Sequence, residues 1–242
     1  MLKYYFSFLV FILFAQLHSQ VWFDIGVNGA FGSGFLTDPK IYSDNRFNFS
    51  PQINNSFALK IGVNPSEIHS GVIELSISNR CYGINQASLP AADPNAQFFE
   101  KIKFSGFQAA LLYRKTQDAS FLEFGPIWSK ITSQELKDDY SKTTINSSFI
   151  HDQNIKLVAG IGGFIMGTER VSFVAGIRFL YDLTDLRAKT AIGQTFPFQN
   201  YNDASLSKSQ RAFDIQLNFE LNVSLGFIYR KSYGKRNVVF KW

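Results

Sequence analysis

Cysteine and histidine are scarce in this sequence, and the shortage of each excludes a class of protein. Cys81 is the only cysteine in 242 residues, which excludes both a disulfide scaffold and a cysteine-based zinc site. The three histidines are too few to favour a multi-histidine metal site. We therefore predict neither a metal site nor a cofactor.

After its first residues the sequence also lacks any apolar run of the roughly 20 residues that a membrane-spanning helix needs. Lys3 precedes an apolar run over residues 4–15, and the small residue Ser19 comes just before Gln20. This pattern is typical of a secretory signal peptide, so we predict that residues 1–19 are removed on export. The alternative is an uncleaved N-terminal anchor. If the mature protein enters a membrane, it must do so with strands.

Charge and composition narrow the range of partners. The chain has 24 Lys and Arg against 19 Asp and Glu, a formal net charge of +5, and 16% of its residues are aromatic. This much apolar and aromatic side chain excludes an intrinsically disordered protein. The basic residues are not interleaved with aromatic residues on one face, so we predict no nucleic-acid partner.

The clearest pattern is an alternation over residues 213–229. Odd positions from Phe213 to Tyr229 are apolar or aromatic, and the even positions between them are polar or glycine, except Ile228. Period two predicts a strand, and this one is far longer than the about 5–6 residues usual in soluble proteins. A wholly apolar face of this length suits lipid better than a small soluble core.

Seven further segments alternate with varying clarity: residues 21–32, 55–63, 71–82, 101–114, 120–132, 155–166 and 170–182. The segment 101–114 is the least regular, and we expect a bulge near Ser105 and Gly106. The connections are alternately long and short, as in outer-membrane barrels with short periplasmic turns and long outer loops.

We therefore predict an all-β fold, an eight-stranded antiparallel transmembrane β-barrel in the outer membrane of a Gram-negative bacterium. The barrel would comprise residues 20–231, with four long extracellular loops and a periplasmic C-terminal tail over residues 232–242. An even number of strands returns both termini to the periplasm. A soluble β-sandwich or a lipocalin-like periplasmic barrel is the alternative.

The predicted inward face carries acids and bases together: Asp24, Glu74, Glu123, Asp214 and Glu220 with Lys60, Arg80, Arg114 and Arg178. Such charges must pair across the lumen, because an unpaired buried charge is very costly. Eight strands enclose a space that side chains just fill, which favours a salt-bridged plug over an ion pathway. Four aromatic residues near strand ends are candidates for the girdle at the membrane interface: Tyr113, Trp128, Tyr181 and Tyr229.

A search for catalysis finds one candidate. His151 and Asp152 lie at the end of the third long loop, where an Asp–His pair at a barrel rim could activate a water molecule. A solvated polar loop is the plainer interpretation of these two residues. The sequence has no nucleophile elbow, P-loop, zinc-protease or dinucleotide-binding motif. We therefore predict no catalytic residues and no enzyme.

The residues Phe121-Leu122-Glu123-Phe124-Gly125-Pro126 resemble the aromatic-Leu-Glu-x-Pro strand of the PorT-like family of small outer-membrane barrels in Bacteroidota, with Gly125 as an added residue. The layout of signal peptide, eight strands and long outer loops is similar as well. The resemblance implies a non-enzymatic outer-membrane protein, in a family of which some members serve type 9 secretion and gliding.

The favoured hypothesis is an accessory or scaffold subunit of a larger outer-membrane complex for protein secretion, outer-membrane protein insertion or nutrient uptake. Its partners would be outer-membrane lipid and other proteins of that complex, bound through the barrel wall, the loops and the C-terminal tail. A lipid- or peptide-modifying enzyme acting through His151 and Asp152 is one alternative, and a small-solute channel is another.

Overall fold

The computed structural model describes residues 22–37, 47–66, 68–87, 97–138, 143–145, 150–168, 170–186 and 210–225. The predicted signal peptide, the predicted C-terminal tail and Tyr229 lie outside these ranges. Within the described residues the chain forms strands and the turns that join them, and none of its segments is a helix long and apolar enough to cross a bilayer.

Ten strands are present in the described residues: β1 Trp22–Thr37, β2 Phe47–Ser50, β3 Gln52–Asn64, β4 His69–Ala87, β5 Gln97–Gln117, β6 Ser120–Asp138, β7 Thr143–Ile145, β8 Gln153–Gly167, β9 Val171–Asp182 and β10 Arg211–Leu225. Eight of them are the long strands that alternation predicts. β2 and β7 are short additions within two of the long connections, and they pair with β4 and β6. The sequence analysis did not anticipate either of them.

The eight long strands close into an antiparallel barrel. Each pairs with its neighbour along the chain, and β1 pairs with β10 from Phe23–Leu225 to Thr37–Arg211, which closes the ring. Closure leaves no strand edge without a partner, as the hydrocarbon region of a membrane requires. The predicted fold class is confirmed. The β5–β6 register shifts between Ser105 and Gly106, where the sequence predicts the bulge, but the extra residue is Thr132 on β6, because Ser105 pairs with Ser133 and Gly106 with Ile131.

The two ends of the barrel differ. The turn end holds the three short connections at residues 65–68, 118–119 and 168–170, together with the start of β1 and the end of β10. Asp118 has a positive φ of 55° in the tightest of these turns, a conformation that Asp tolerates better than most residues. The loop end holds the four long connections. We use these two names below.

Alternation sets the two faces of the wall. On β10 the side chains of Asp214, Gln216, Asn218, Glu220 and Asn222 are buried inside the barrel, and the apolar residues between them are exposed. The outward row on β10 runs from Ile215 to Leu225, which matches the about 9–11 residues of a tilted membrane-spanning strand. Leu59, Leu75 and Leu111 continue this apolar belt on β3, β4 and β5, each more than half exposed.

The wall is tallest at β4, β5 and β6. These strands have 19, 21 and 19 residues, against 12 in β9. Beyond the apolar belt, towards the loop end, their outward side chains become polar, as at Asn79, Lys103 and Ser133. This part of the wall therefore has a surface suited to water, and it extends the barrel past the belt on one side.

Candidate functional site

A network of six buried charges fills the turn-side half of the lumen. We call it the turn-side network: Lys60, Glu74, Arg114, Glu123, Arg178 and Glu220. Three cations and three carboxylates make it neutral. Its residues come from β3, β4, β5, β6, β9 and β10, so the network joins six of the eight strands across the interior.

Glu220 is at the centre of this network and is fully buried. It accepts hydrogen bonds from Lys60 Nζ and from the Arg114 guanidinium, the latter at 2.6 and 3.0 Å. Asn218 and Asn222, its neighbours on the inner face of β10, donate at 3.0 and 3.3 Å. Both carboxylate oxygens are therefore fully engaged, which is what makes a buried carboxylate tolerable.

Two arginines carry the network across the barrel. Both Nη atoms of Arg178 on β9 donate hydrogen bonds to Glu74 on β4, at 2.7 and 2.8 Å. The Nε of Arg178 donates a hydrogen bond to Glu123 at 2.6 Å. Arg114 binds Glu123 as well as Glu220, and its guanidinium stacks on the Phe121 ring at 4.0 Å. Such bidentate, charge-assisted bonds are strong and directional, so they hold opposite walls at a fixed separation.

A glycine makes room for this packing. A methyl group at Gly160 would lie 2.9 Å from Cγ of Glu123 and 3.2 Å from Cγ of Arg178. The inward position of β8 between these two side chains must therefore lack a Cβ. The sequence analysis found no function for the glycines of this strand beyond packing, and the structure gives that packing a specific role.

A second, smaller network lies nearer the loop end. The loop-side network consists of Arg80, Lys156, Asp182 and Asp214, again two cations and two carboxylates. Arg80 Nη1 lies 3.2 Å from Asp214 and 3.8 Å from Asp182, and Lys156 Nζ lies 3.4 Å from Asp182. These separations are longer than most of those in the turn-side network, where Arg178 and Glu220 at 3.5 Å are the exception.

Neutral side chains complete the surroundings of Asp214. Its Oδ1 accepts hydrogen bonds from the Tyr82 hydroxyl and from Asn54 Nδ2, both at 2.9 Å. A methyl group at Gly34 would lie 1.8 Å from that oxygen, so this network too needs a glycine beside it.

An apolar cap covers the loop-side network. It consists of Leu36, Tyr82, Ile84, Ile102, Phe104, Ile131, Ile150, Leu186 and Ala212. Ile150 and Leu186 come from the long connections and are buried at 3% and 2% exposure. Gln134 holds Ile150 in place by bonding both its N–H and its carbonyl, and the His151 N–H binds the Leu186 carbonyl. Ile150 and Leu186 thus extend the apolar packing of the described residues over the loop-side network.

Of the nine inward-facing charged residues that the sequence predicts, eight lie in the two networks. The ninth, Asp24, accepts hydrogen bonds from Asn64 and Ser224 at 2.7 Å each, close to the turn end. The analysis did not assign Lys156 and Asp182 to the lumen network. Lys156 is separated from Gly160 and Gly162 by an even number of residues, so all three lie on the same face of β8. This alternation would have placed Lys156 inside the barrel.

The candidate girdle residues face outward at both ends of the belt. Tyr113 lies at the turn end, where its hydroxyl and His69 Nδ1 are hydrogen bonded. Trp128 lies on the loop side of β6 and is 42% exposed, and Tyr181 is the last outward residue of β9. Their positions fit an interfacial role, which stays a prediction.

His151 and Asp152 lie at the loop end, directly before β8. Their described contacts are made by the backbone, His151 with Leu186 and Asp152 with Ile131. Among the described residues no group of three or more His, Cys, Asp and Glu side chains could hold a metal ion. Within the described part of the chain, these backbone contacts tie the pair to β6 and to the end of the β9 segment, and no catalytic partner is brought to it.

Comparison with known proteins gives a likeness of fold. No protein-family model matches the chain, and no curated protein does. Among solved structures it is similar to Neisserial surface protein A, with 13% identity and a TM-score of 0.40 over 82% of this chain and 96% of that one.

Two further similar structures are the outer membrane protein OprG from Pseudomonas aeruginosa and Ail, the attachment invasion locus protein of Yersinia pestis. OprG has 10% identity and a TM-score of 0.45 over 86% of this chain and 97% of its own. Ail has 9% identity and a TM-score of 0.39, over 83% and 98%. All three are eight-stranded outer-membrane barrels. The barrel fold of this chain is shown by its own closed ring of eight long strands.

Proposed function

We propose that this protein is a non-conducting accessory or scaffold subunit of a larger outer-membrane complex, which binds its partners through the outer wall and the loop end. The observation that carries the proposal is the filled lumen of the described barrel. Two neutral ion-pair networks and an apolar cap occupy the interior, so the outer surfaces are what remains for binding.

The shape of the wall supports this proposal. An anchor alone would need only the belt, but β4, β5 and β6 continue past it with polar outward side chains such as Asn79 and Lys103. A one-sided extension gives the barrel a distinct face next to the membrane. Exposed apolar surface of this extent must be covered, by lipid along most of the belt and by a neighbouring barrel where one docks.

The other hypotheses receive less support. A solute channel needs a continuous aqueous path, and the six charges of the turn-side network are instead bonded to each other across the lumen. A rim enzyme acting through His151 and Asp152 lacks an assembled site, as described above. The likeness of residues 121–126 to the PorT-like family agrees with the subunit assignment and stays a prediction.

The test is crosslinking from defined faces of the wall in native outer membranes. A photo-crosslinking residue replaces Leu111 on β5 or Lys103 above it, and in a second set Leu217 on β10 or Phe179 on β9. All four side chains face outward, so the substitutions leave the lumen untouched. We expect a discrete, stoichiometric protein partner from one set and lipid or no product from the other.

Purification in mild detergent provides the companion measurement. A complex that keeps the same partner without crosslinking supports the proposal. A monomer in mild detergent, with no protein adduct from any of the four positions, contradicts it.

A further inference from the structure

A small cavity lies in the wall of the lumen where the β5–β6 ladder is interrupted. Its volume is about 10 Å³, close to the minimum that holds one water molecule. The lining includes Gly106 at the bulge and the polar side chains of Ser78, Gln108, Ser129, Asn154 and Lys156. A bulge leaves one residue of the bulged strand without a ladder partner, which opens the wall locally.

Three of the lining side chains have a buried polar atom that lacks a hydrogen-bond partner among the described residues. They are Ser129 Oγ, Asn154 Nδ2 and Lys156 Nζ. The three residues are only 4%, 1% and 1% exposed. Leaving such a group without a partner costs about 1–3 kcal/mol, and more for a charged one. A single buried polar atom without a hydrogen-bond partner is an ordinary finding. Three such atoms around one cavity indicate that the cavity holds a molecule that bonds them.

Neighbouring bonds fix which end of the Asn154 amide faces the cavity. The Ile155 N–H donates to Thr184 Oγ1, so the Thr184 hydroxyl hydrogen is free to donate to Asn154 Oδ1, at 2.6 Å. Asn154 Oδ1 is thereby used as an acceptor. The remaining Nδ2 is a donor, and a flipped amide would leave the Thr184 hydroxyl hydrogen without this acceptor.

The occupant must accept hydrogen bonds from at least two donors, Lys156 Nζ and Asn154 Nδ2. It must also suit a network that is already neutral, with Arg80 and Lys156 balanced by Asp182 and Asp214. A halide accepts but adds an uncompensated negative charge. A water molecule accepts twice without adding charge, and it has hydrogens left, one of which suits Ser129 Oγ.

We propose that one buried water molecule occupies this cavity and completes the loop-side network by joining Lys156, Asn154 and Ser129. The site is consistent with the 3.4 Å separation of Lys156 Nζ and Asp182, because the water supplies Lys156 with a bond that the carboxylate does not.

The test is an experimental structure of the folded protein at a resolution that shows ordered water, from crystals grown in bromide. We expect a density peak within hydrogen-bond distance of Lys156 Nζ, Asn154 Nδ2 and Ser129 Oγ, with no anomalous signal from bromide. An empty cavity would overturn the proposal, and so would a bromide signal at the peak, which would show an anion site.

A variant gives a second test in the same crystals. Ser129→Val adds methyl groups to the cavity and removes one partner of the water, so we expect an intact barrel without the peak. Ser76→Val on the inner face of β4, away from the cavity lining, is the matched control and should retain the peak. A peak that persists unchanged in Ser129→Val would contradict the assigned site.

Discussion

The two halves of the lumen solve the same electrostatic problem in different ways. In the turn-side network each carboxylate is bonded directly by two or more donors, most of them within 3.0 Å. In the loop-side network the ion pairs measure 3.2–3.8 Å, and Arg80 Nε, Lys156 Nζ and Asp182 Oδ1 have no hydrogen-bond partner among the described residues. Both networks are neutral, so neutrality does not determine how tightly the charges pack.

The difference lies in what surrounds each network. Arginines dominate the turn-side network, and a planar guanidinium can bind two carboxylates at once. The loop-side network has only one arginine, Arg80, and it lies beside the interruption of the β5–β6 ladder. We infer that direct bonding makes the turn-side half the more sensitive to mutation, while the loop-side half tolerates loss of a partner better.

The largest effect is expected from Glu220→Gln. The change removes the negative charge that binds both Lys60 and Arg114. Removing one partner of a buried ion pair lowers the free energy of unfolding by about 3–5 kcal/mol. The measurement is urea-induced unfolding in lipid vesicles. Asp24→Asn is the matched control, because neutral side chains bind Asp24, and it should cost no more than about 1.5 kcal/mol. Equal losses in the two variants would refute the ranking.

Leu186→Ala should have the next largest effect. Leu186 is 2% exposed within the apolar cap, and such a truncation costs about 2–5 kcal/mol when the cavity does not collapse. Because the cap belongs to the loop end, we also expect faster hydrogen exchange of the Arg80 and Asp214 backbone amides, with those of Glu74 and Glu220 unchanged. Uniform acceleration at both ends would show that the cap does not act locally.

Two glycine substitutions compare the packing of the two halves. Gly34→Ala places a methyl group against Asp214, and Gly160→Ala places one against Glu123 and Arg178. We expect each substitution to lower the free energy of unfolding by about 1–3 kcal/mol. The decrease should be larger for Gly34→Ala, because its added methyl group would lie 1.8 Å from Asp214 Oδ1, against 2.9 Å from Glu123 Cγ for Gly160→Ala. Gly29→Ala is the control, because nothing lies within 4 Å of its added methyl group. A loss at Gly29 matching the other two would mean that space is not the cause.

The smallest effect is expected from Lys156→Met. Asp182 keeps Arg80 and the Ala212 N–H as partners, and the methionine fills much of the lysine volume, so we expect a loss of about 1–3 kcal/mol. The same unfolding measurement applies. Lys60→Met in the turn-side network should cost more, and the reverse order would overturn the distinction between the two halves.

The sequence predicts the barrel well because alternation is a local signal. The inward phase of Glu74, Glu123 and Glu220 follows from counting by twos, which holds along the long strands up to the register shifts at Thr132 on β6 and at Ile165 on β8. The partners of each charge could not be predicted, because the link from Arg178 to Glu74 depends on which strands face each other across the closed ring. The apolar cap was missed for a related reason, since Ile150 and Leu186 lie in connections without periodicity.

Conductance of the purified barrel in planar lipid bilayers tests the central claim most directly. The account predicts that the folded protein, shown to be inserted by its heat-modifiable migration, gives no unitary current steps under conditions in which a general porin conducts. Reproducible current steps from the wild-type barrel would contradict the account, because ions would then cross a lumen that these ion pairs and this cap are said to close.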